Sequence, residues 1–345
     1  MTIKSVALKA GVSTATVSYV INNTGSVSEE TRKHVLQVMR ECNYIPNRIA
    51  RSLRVNRTNT IGVIAEDVTV FHVPWIINGI NEYAEKHGYH ILLNNLRMVE
   101  RIGNRFDEFP QYQKLINEEI DTMASAKVDG IIYLAMHDRK IEGLFENAEF
   151  PVVYTYCYTG EEKDLSVTYE NQSVACDATN YLIGLGHKRI AVISGPINSM
   201  PSHKRMLGFQ TALMEAGLEM RQEYIKIGDW HYDFGYEMCL ELLGLPEPPT
   251  AIFAMNDVMA LGALAAANER GVRVPNELSV LGFDDIESSQ YSYPKLTTIS
   301  LPLRDMGYAA AEDIDRVIQG EPIEHNSLVL PCQLVMRGSV SAPGQ

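Results

Sequence analysis

The sequence predicts a small all-α headpiece joined to a larger α/β core, whose doubly wound parallel sheets form two lobes. Three observations carry this. Residues 1–60 hold nine Lys/Arg against three acids, a net of +6, in a chain of 345 residues whose net charge is −13. Up to Pro46 the apolar residues recur at helical spacing in short segments broken by Gly and Asn. From residue 60 onward, short β-branched runs alternate with helical stretches, the pattern of parallel strands covered by helices. The length fits two or three domains.

The headpiece reads as three helices. "IKSVALKAG" puts Val6, Ala7 and Ala10 on one face, and Gly11 permits a tight turn. Ser13 or Thr14 can cap a second helix that carries Val17, Val20 and Ile21, and "NNTG" ends it. Ser28 can cap a third, with Glu29 and Glu30 in its positively polarised first turn and Val35, Leu36, Val38 and Met39 as the buried face. A helix-turn-helix needs a small residue where its helices approach, a glycine in the turn and a β-branched residue on the second helix. Ala7, Gly11 and Val17 meet that demand.

The second helix then presents short side chains outward, and a carboxylate there would repel phosphate. Short side chains let a helix sit close to base edges in a major groove, where Thr methyl and Ala touch thymine methyls and hydroxyls reach phosphates or bases. The candidate DNA-contacting residues are Ser13, Thr14, Ala15, Thr16, Ser18, Tyr19 and Asn22, followed by Asn47, Ala50 and Leu53. The last three lie in "YIPNRIARSLRVNR", where Arg48, Arg51 and Arg54 can neutralise phosphates. Leu53 has no core of its own to join, which is how a minor-groove wedge looks.

In the core, strands are expected at "TIGVIAED", "YHILLNN", "DGIIYLA", "PVVYTY", "RIAVISG", "YIKIGD", "TAIFAMN" and "LSVLGFDD". Helices are expected near 75–87, 112–126, 172–184, 202–216, 232–243 and 257–270. This is enough for one barrel or two smaller lobes. Two lobes are preferred because "NSMPSHKR" and "SSQYSYPKLTT" read as crossover loops, and Gly88 and Gly217 end helices in similar contexts, as duplicated lobes would.

Residues 3–54 resemble the headpiece of the LacI/GalR family of bacterial regulators. The resemblance continues through "LGHKRIAVISGP", "RMLGFQTAL", "PTAIFAMNDVMALGAL", "VPNELSVLGFDDIE" and "PKLTTI", nearly the whole chain. It implies a type I periplasmic-binding-protein-like core, three crossovers between lobes, and a homodimer on near-palindromic operator DNA. It also implies allosteric control by a small-molecule effector, and a hinge helix, too short to be stable alone, that folds on DNA. The expected boundaries are a headpiece at 1–45, a hinge at 46–59 and a core at 60–345. Within the core one lobe spans about 60–160 and 302–323, the other about 161–290 and 324–340. The last ten residues, "MRGSVSAPGQ", contain no leucine heptad, so a dimer rather than a coiled-coil tetramer is expected. Three features depart from the family. Tyr19 stands where many members have arginine. "TVFHVPW" (69–75) replaces a "SNPFF"-like stretch. Residues 96–113 carry an insertion.

A cleft between two lobes binds ligand at the C-terminal ends of strands. Four strand ends deliver Arg205, Trp230, Asn256 and Asp284, a set suited to a sugar, with Trp230 stacking on its C–H face; the resemblance gives these positions effector contact. Phe71 and His72, with Trp75, are expected on the opposite wall. A purine-like ligand sandwiched by Phe71 and Trp230 is the alternative. Each residue also has a plainer reading: Asn256, for instance, can cap the helix that starts at Asp257.

The sequence has no GxGxxG after the first strand, no GxxxxGK[ST] and no GxSxG, and no nucleophile is paired with a base, so no enzyme is expected. Nine histidines show no metal-ligand spacing, and no cofactor is implied. Five scattered cysteines suggest reduced, mostly buried thiols. With no apolar h-region at the N-terminus and no bilayer-length apolar run, a cytoplasmic protein without a membrane partner is expected. A non-regulatory sugar-binding protein would share the core but have no use for residues 1–57.

Overall fold

The computed structural model describes residues 2–22, 24–44, 57–103, 105–145, 148 and 150–344, the side chains of Asn22, Phe106 and Asp107 excepted. The chain divides into two compact units, Met1–Thr58 and Asn59–Gln345.

Among the described residues the first unit holds three helices, α1 (Ile3–Ala10), α2 (Thr14–Asn22) and α3 (Glu29–Glu41). Thr2 caps α1 through Ser5 N–H, and Ser28 caps α3 through Thr31 N–H. Gly11 takes the left-handed conformation at φ +64° that ends α1 and opens the turn into α2. Val6, Ala7, Ala10, Val17, Val20, Val35, Val38 and Met39 form one buried cluster, so the three faces meet as their periodicity requires. Leu36 is a correction. It is 36% exposed, because Val35, Val38 and Met39 already fill the side of α3 that faces α1 and α2.

The second unit has two parallel sheets. The first joins β1 (Thr60–Ala65), β2 (His90–Asn95), β3 (Gly130–Leu134), β4 (Val152–Thr155), β5 (Leu165–Tyr169) and β11 (Ser327–Leu330) in the order β11-β5-β4-β3-β1-β2. The second joins β6 (Ile190–Ser194), β7 (Ile225–Ile227), β8 (Ala251–Ala254) and β9 (Ser279–Leu281) in the order β7-β6-β8-β9. A short antiparallel pair, β10 (Thr298–Ser300) with β12 (Gln333–Val335), completes the set. The chain therefore passes between lobes three times, after β5, near β10 and between β11 and β12. Central strands such as β3 and β6 are buried along their whole length, as strands covered on both faces must be.

The sheets move two expected boundaries. Strands β5 and β11 hydrogen-bond into the first sheet, so that lobe extends beyond residue 160 to Tyr169 and includes 327–330, which the sequence places in the other lobe. "MPSHKR" is likewise no crossover loop. Pro201 sits in the first turn of a helix within the second lobe, where its missing N–H costs nothing, and Ser199 caps that helix.

The core helices are α4 (Val73–His87), α5 (Met98–Ile102), α6 (Gln113–Ser125), α7 (Gln172–Gly184), α8 (Met200–Glu215), α9 (Tyr232–Leu243), α10 (Asp257–Glu269) and α11 (Leu303–Gln319). They pack chiefly as three pairs, α4 with α11, α7 with α8, and α9 with α10. Every pair meets at glycine. A Cβ on Gly79 would lie 1.9 Å from Arg304 O, one on Gly208 2.2 Å from Gln172 O, and one on Gly262 2.2 Å from Tyr232 O. Gly88 and Gly217 do repeat each other: both take positive φ, and Tyr89 N–H and Leu218 N–H each close back on the carbonyl five residues earlier, both at 2.9 Å. All five cysteines are free thiols, but only Cys157 and Cys239 are fully buried, fewer than expected.

Candidate functional site

In the headpiece, Gly11 aims α2 so that Val17 and Val20 point inward. Ser13, Thr14, Ala15 and Tyr19 are then exposed, with Thr16 and Ser18 half-buried. Ser13 and not Thr14 is the cap. Its Oγ accepts Thr16 N–H at 3.0 Å and lies 2.9 Å from Thr16 Oγ1, so two candidate hydroxyls are tied into the helix start. Tyr19 is 48% exposed, and its ring lies against Gly25, where a Cβ would come within 3.0 Å of it. The first acidic residue of the chain is Glu29, so the surface built by α1 and α2 carries no carboxylate. The side chain of Asn22 and the whole of Asn47, Ala50 and Leu53 lie outside the described residues.

In the core, the C-terminal ends of nine parallel strands converge on one cavity of about 240 Å³. All six effector candidates line it: Phe71, His72, Arg205, Trp230, Asn256 and Asp284. Trp75 does not. It is 57% exposed on α4, whose first turn buries Val73 and Ile76 instead.

Arg205 is the hub. Its Nε donates to Asn171 Oδ1 at 2.9 Å, Nη1 donates to Met255 O, and Nη2 donates to Tyr169 OH at 3.2 Å and lies 3.6 Å from Asp284 Oδ1. The guanidinium carbon sits 3.5 Å from the centroid of the Phe283 ring, a cation–π stack that leaves its edge for hydrogen bonding. Burial pushes the Asp284 carboxyl up to about 8, more than the neighbouring guanidinium pulls it down. Asp284 also holds φ +114° and Trp230 φ +73°. Positive φ in a residue with a Cβ costs of order 1–3 kcal/mol and persists only where the surroundings enforce it. Asp257 helps enforce it here: its buried carboxylate accepts from Ile286 N–H at 3.0 Å and Ser289 Oγ–H at 2.6 Å, fixing the loop beyond Asp284.

The Trp230 ring lies on Gly195, where a Cβ would fall 2.1 Å from the indole. Its Nε1–H is buried without a partner. Asn256 has both ends of its amide engaged: Oδ1 caps α10 through Met259 N–H at 2.8 Å, and Nδ2 donates to Trp230 O at 3.0 Å. Its plainer reading as a helix cap is therefore what the geometry shows, and it positions Trp230 as well. His72 stacks on Tyr156 at 3.9 Å between centroids, and burial drives its imidazole down to about 3, so it is neutral. Its Nε2 faces Ala135 O at 3.4 Å and so carries the hydrogen, leaving Nδ1 as a buried acceptor without a partner.

Sequence reasoning missed Met136, His137, Tyr156 and Tyr169, which also line the cavity. The signal was available for three of them. Met136, His137 and Tyr156 stand at or just past the C-terminal end of a recognisable strand, as Trp230 does, whereas Tyr169 ends β5, which the sequence does not announce. It also missed Glu66 and Arg139. Glu66 is fully buried and holds Arg139 through paired bonds of 2.7 and 2.9 Å, and it accepts Met136 N–H at 2.9 Å, which fixes the loop bearing Met136 and His137. Among the described residues no cluster of His, Cys, Asp and Glu could hold a metal, and no helix is long and apolar enough to cross a membrane.

Comparison with known proteins agrees with this arrangement. The family described as "Bacterial regulatory proteins, lacI family" matches residues 2–47, and the "Periplasmic binding protein-like domain" matches residues 179–340. The transcriptional repressor CytR of Escherichia coli K12 is 36% identical over 345 residues, covering 99% of this chain and 96% of CytR. The lac repressor dimer bound to operator and the anti-inducer ONPF is 27% identical with a TM-score of 0.79, covering 99% of each chain. The regulator CelR in complex with cellobiose is 30% identical with a TM-score of 0.67, covering 98% of this chain and 99% of CelR. With an α2 surface free of carboxylates in one compact unit and a strand-end cavity in the other, the chain belongs to the lacI family of bacterial regulatory proteins and is a DNA-binding transcriptional regulator.

Proposed function

We propose that this regulator is a repressor that acts as a homodimer on a near-palindromic operator and is controlled by a small carbohydrate-like effector bound at the Arg205–Asp284 cavity. The observation that supports this best is the convergence of Arg205, Trp230, Asn256 and Asp284 on one cavity, two of them held at positive φ. The cavity lies between lobes that touch directly. Lys204 Nζ donates to the buried Asp138 carboxylate at 3.1 Å, and His137 lies 2.9 Å from Ser199 Oγ. A ligand that prefers one arrangement of these contacts shifts the balance between lobe arrangements by its differential affinity. Residues 46–59 are the segment through which that shift reaches the headpiece; most of them lie outside the described residues. The lac repressor is a dimer on its operator and CelR holds cellobiose, and both likenesses favour the same behaviour here.

The decisive experiment selects operator DNA from a random pool with the full chain, then titrates that DNA with and without a ligand found by thermal shift. A ligand at 100 times its Kd adds about 2.7 kcal/mol to stability, enough to detect. A change in operator affinity on adding ligand is expected. An operator affinity indifferent to every ligand that binds the cavity would refute the switch.

Ser13 offers a separate check on which face meets DNA. Ser13→Ala removes a cap and is expected to cost about 1 kcal/mol of α2 stability. Ser13→Asp restores a good cap but places a carboxylate at the exposed start of α2. It is therefore expected to melt like wild type while binding operator at least tenfold more weakly. Wild-type operator affinity in Ser13→Asp would take the start of α2 off the DNA.

A further inference from the structure

Asp257 opens α10 one residue after Asn256, and its side chain is fully buried. Its carboxylate joins three elements. Oδ2 accepts Ile286 N–H at 3.0 Å and Ser289 Oγ–H at 2.6 Å, both from the loop that follows Asp284. Oδ1 accepts the hydroxyl of Thr298, the first residue of β10. Ser289 and Thr298 are fully buried as well, so these bonds form in a low dielectric, shielded from water. Gly282 makes the room: a Cβ there would lie 2.2 Å from Asp257 Oδ1. Burial pushes the carboxyl up to about 6 while the three donors pull it down, so at pH 7 it is largely ionised and accepts from all three.

The two ends of this node serve different tasks. On one side, Asn256 and Asp284 line the cavity, the first adjacent to Asp257 and the second two residues before Ile286. On the other side, β10 is a crossover strand. Three residues after Ser300 the chain enters α11, which packs on α4 in the first lobe. The backbone also ties the end of β9 to β10, through Gly282 N–H to Thr297 O at 2.9 Å and Asp284 N–H to Ile299 O at 2.8 Å. Those bonds join strand to strand. The Asp257 carboxylate adds the start of α10 and the 286–289 turn to the same crossover. Hydrogen bonds to an ionised acceptor are roughly twice as strong as neutral ones, so the joined elements move together.

We propose that Asp257 is a positioning residue of the switch: it carries a displacement of Asn256 and Asp284 through Thr298 to β10, and so to the first lobe. This rests on the reading of the cavity as the effector site. Two measurements on the full chain test it. The first needs no ligand. Hydrogen–deuterium exchange follows the Ile286 amide, whose partner is Asp257 and not Thr298. Thr298→Val keeps the side-chain shape and removes the hydroxyl. It is expected to speed that exchange at least tenfold relative to the amides of α7 in the same lobe. Thr298→Ser keeps the hydroxyl and is expected to exchange like wild type; Thr298→Ala replaces the valine variant should that fail to fold. An Ile286 amide unaffected by loss of the hydroxyl would overturn the inference. The second measurement titrates operator DNA in the presence of whichever of cellobiose, glucose, adenosine and adenine stabilises wild type in a thermal-shift assay. Thr298→Val is expected to bind that compound within threefold of wild type, yet its operator affinity should respond at least fivefold less when the compound is added. Thr298→Ser should restore the response. A full response in Thr298→Val would overturn the inference and leave the cavity as the effector site. A wild-type operator affinity indifferent to the bound compound would remove the switch itself, and this inference with it.

Discussion

Gly307→Ala is expected to destabilise the core by about 3 kcal/mol, although alanine is the better helix former by about 1 kcal/mol. The reason is geometric. A Cβ on Gly307 would lie 1.9 Å from the carbonyl oxygen of Ile76 and 3.0 Å from Ile80 N. These are backbone atoms of α4, and no rotamer change moves them aside. Helix α11 would have to lift from α4, and with it Met306, Ala310 and Ile314 would leave the core they share with Ile76 and Ile80. Gly184→Ala is the matched control: it also lies in a helix, at the end of α7, and nothing stands within 4 Å of its added methyl. That change is expected to be neutral or stabilising by up to about 1 kcal/mol. Thermal melting of the full chain compares the two. At roughly 2–4 °C per kcal/mol for a unit of this size, Gly307→Ala should melt near 10 °C lower. Equal melting of the two variants would mean that α4 and α11 are not held at glycine contact.

The same helix pair shows where sequence legibility stopped. Helix α11 carries Leu303, Met306, Ala310 and Ile314 on one face, a helical signal that assigning 302–323 to a lobe did not resolve into a helix. Strands β5, β10, β11 and β12 were harder. They have three to five residues, and β11 alternates exposed and half-buried positions, so neither length nor hydrophobicity announces them. Their absence from the sequence reading is why the lobe boundary was drawn before Leu165: membership of a sheet depends on pairing across more than 150 residues, as between Ser166 and Ser327. The headpiece was legible because its signals are local: a cap at Ser28, a left-handed glycine at 11, and apolar spacing. In the cavity, Arg205, Trp230, Asn256 and Asp284 were legible as strand-end residues with unusual chemistry. Tyr156, Tyr169 and His137 pass for ordinary strand and loop residues until the sheets bring their ends together. Asn256 shows the opposite limit: its spacing fits both a cap and a contact, and only geometry reveals that its amide is fully spent.

Arg205→Leu is expected to cost the most at the cavity, about 3–5 kcal/mol of stability and more than a hundredfold in effector affinity. The side chain is 3% exposed and joins groups from both lobes: Tyr169 and Asn171 at the first crossover, Met255 beyond β8, and Asp284 beyond β9. Leucine fills part of the volume but leaves the Met255 carbonyl and the Asn171 amide oxygen without their donor. Arg205→Lys keeps the charge but not the fork that reaches several acceptors at once, so it should recover only part of both losses. Proton linkage gives a second readout. Folded Asp284 keeps its proton up to about pH 8, whereas the unfolded chain releases it near 4. Between those values the folded state binds more protons, so raising the pH favours unfolding, and the loss stops once pH passes the folded value. Removing the guanidinium raises that folded value further. The loss then continues above pH 8, and the stability gap between Arg205→Leu and wild type should widen from pH 7 to pH 9. The buried histidines, His72 and His137, lie near 3 in the folded protein, far below this range, and do not open the gap between pH 7 and pH 9. Urea unfolding across that range measures the gap. A gap that stayed constant would mean that Arg205 does not govern the Asp284 carboxyl. Operator binding without effector should persist in Arg205→Leu wherever the core remains folded, because the α2 surface belongs to the other compact unit. The variant would then hold DNA while no longer responding to its ligand.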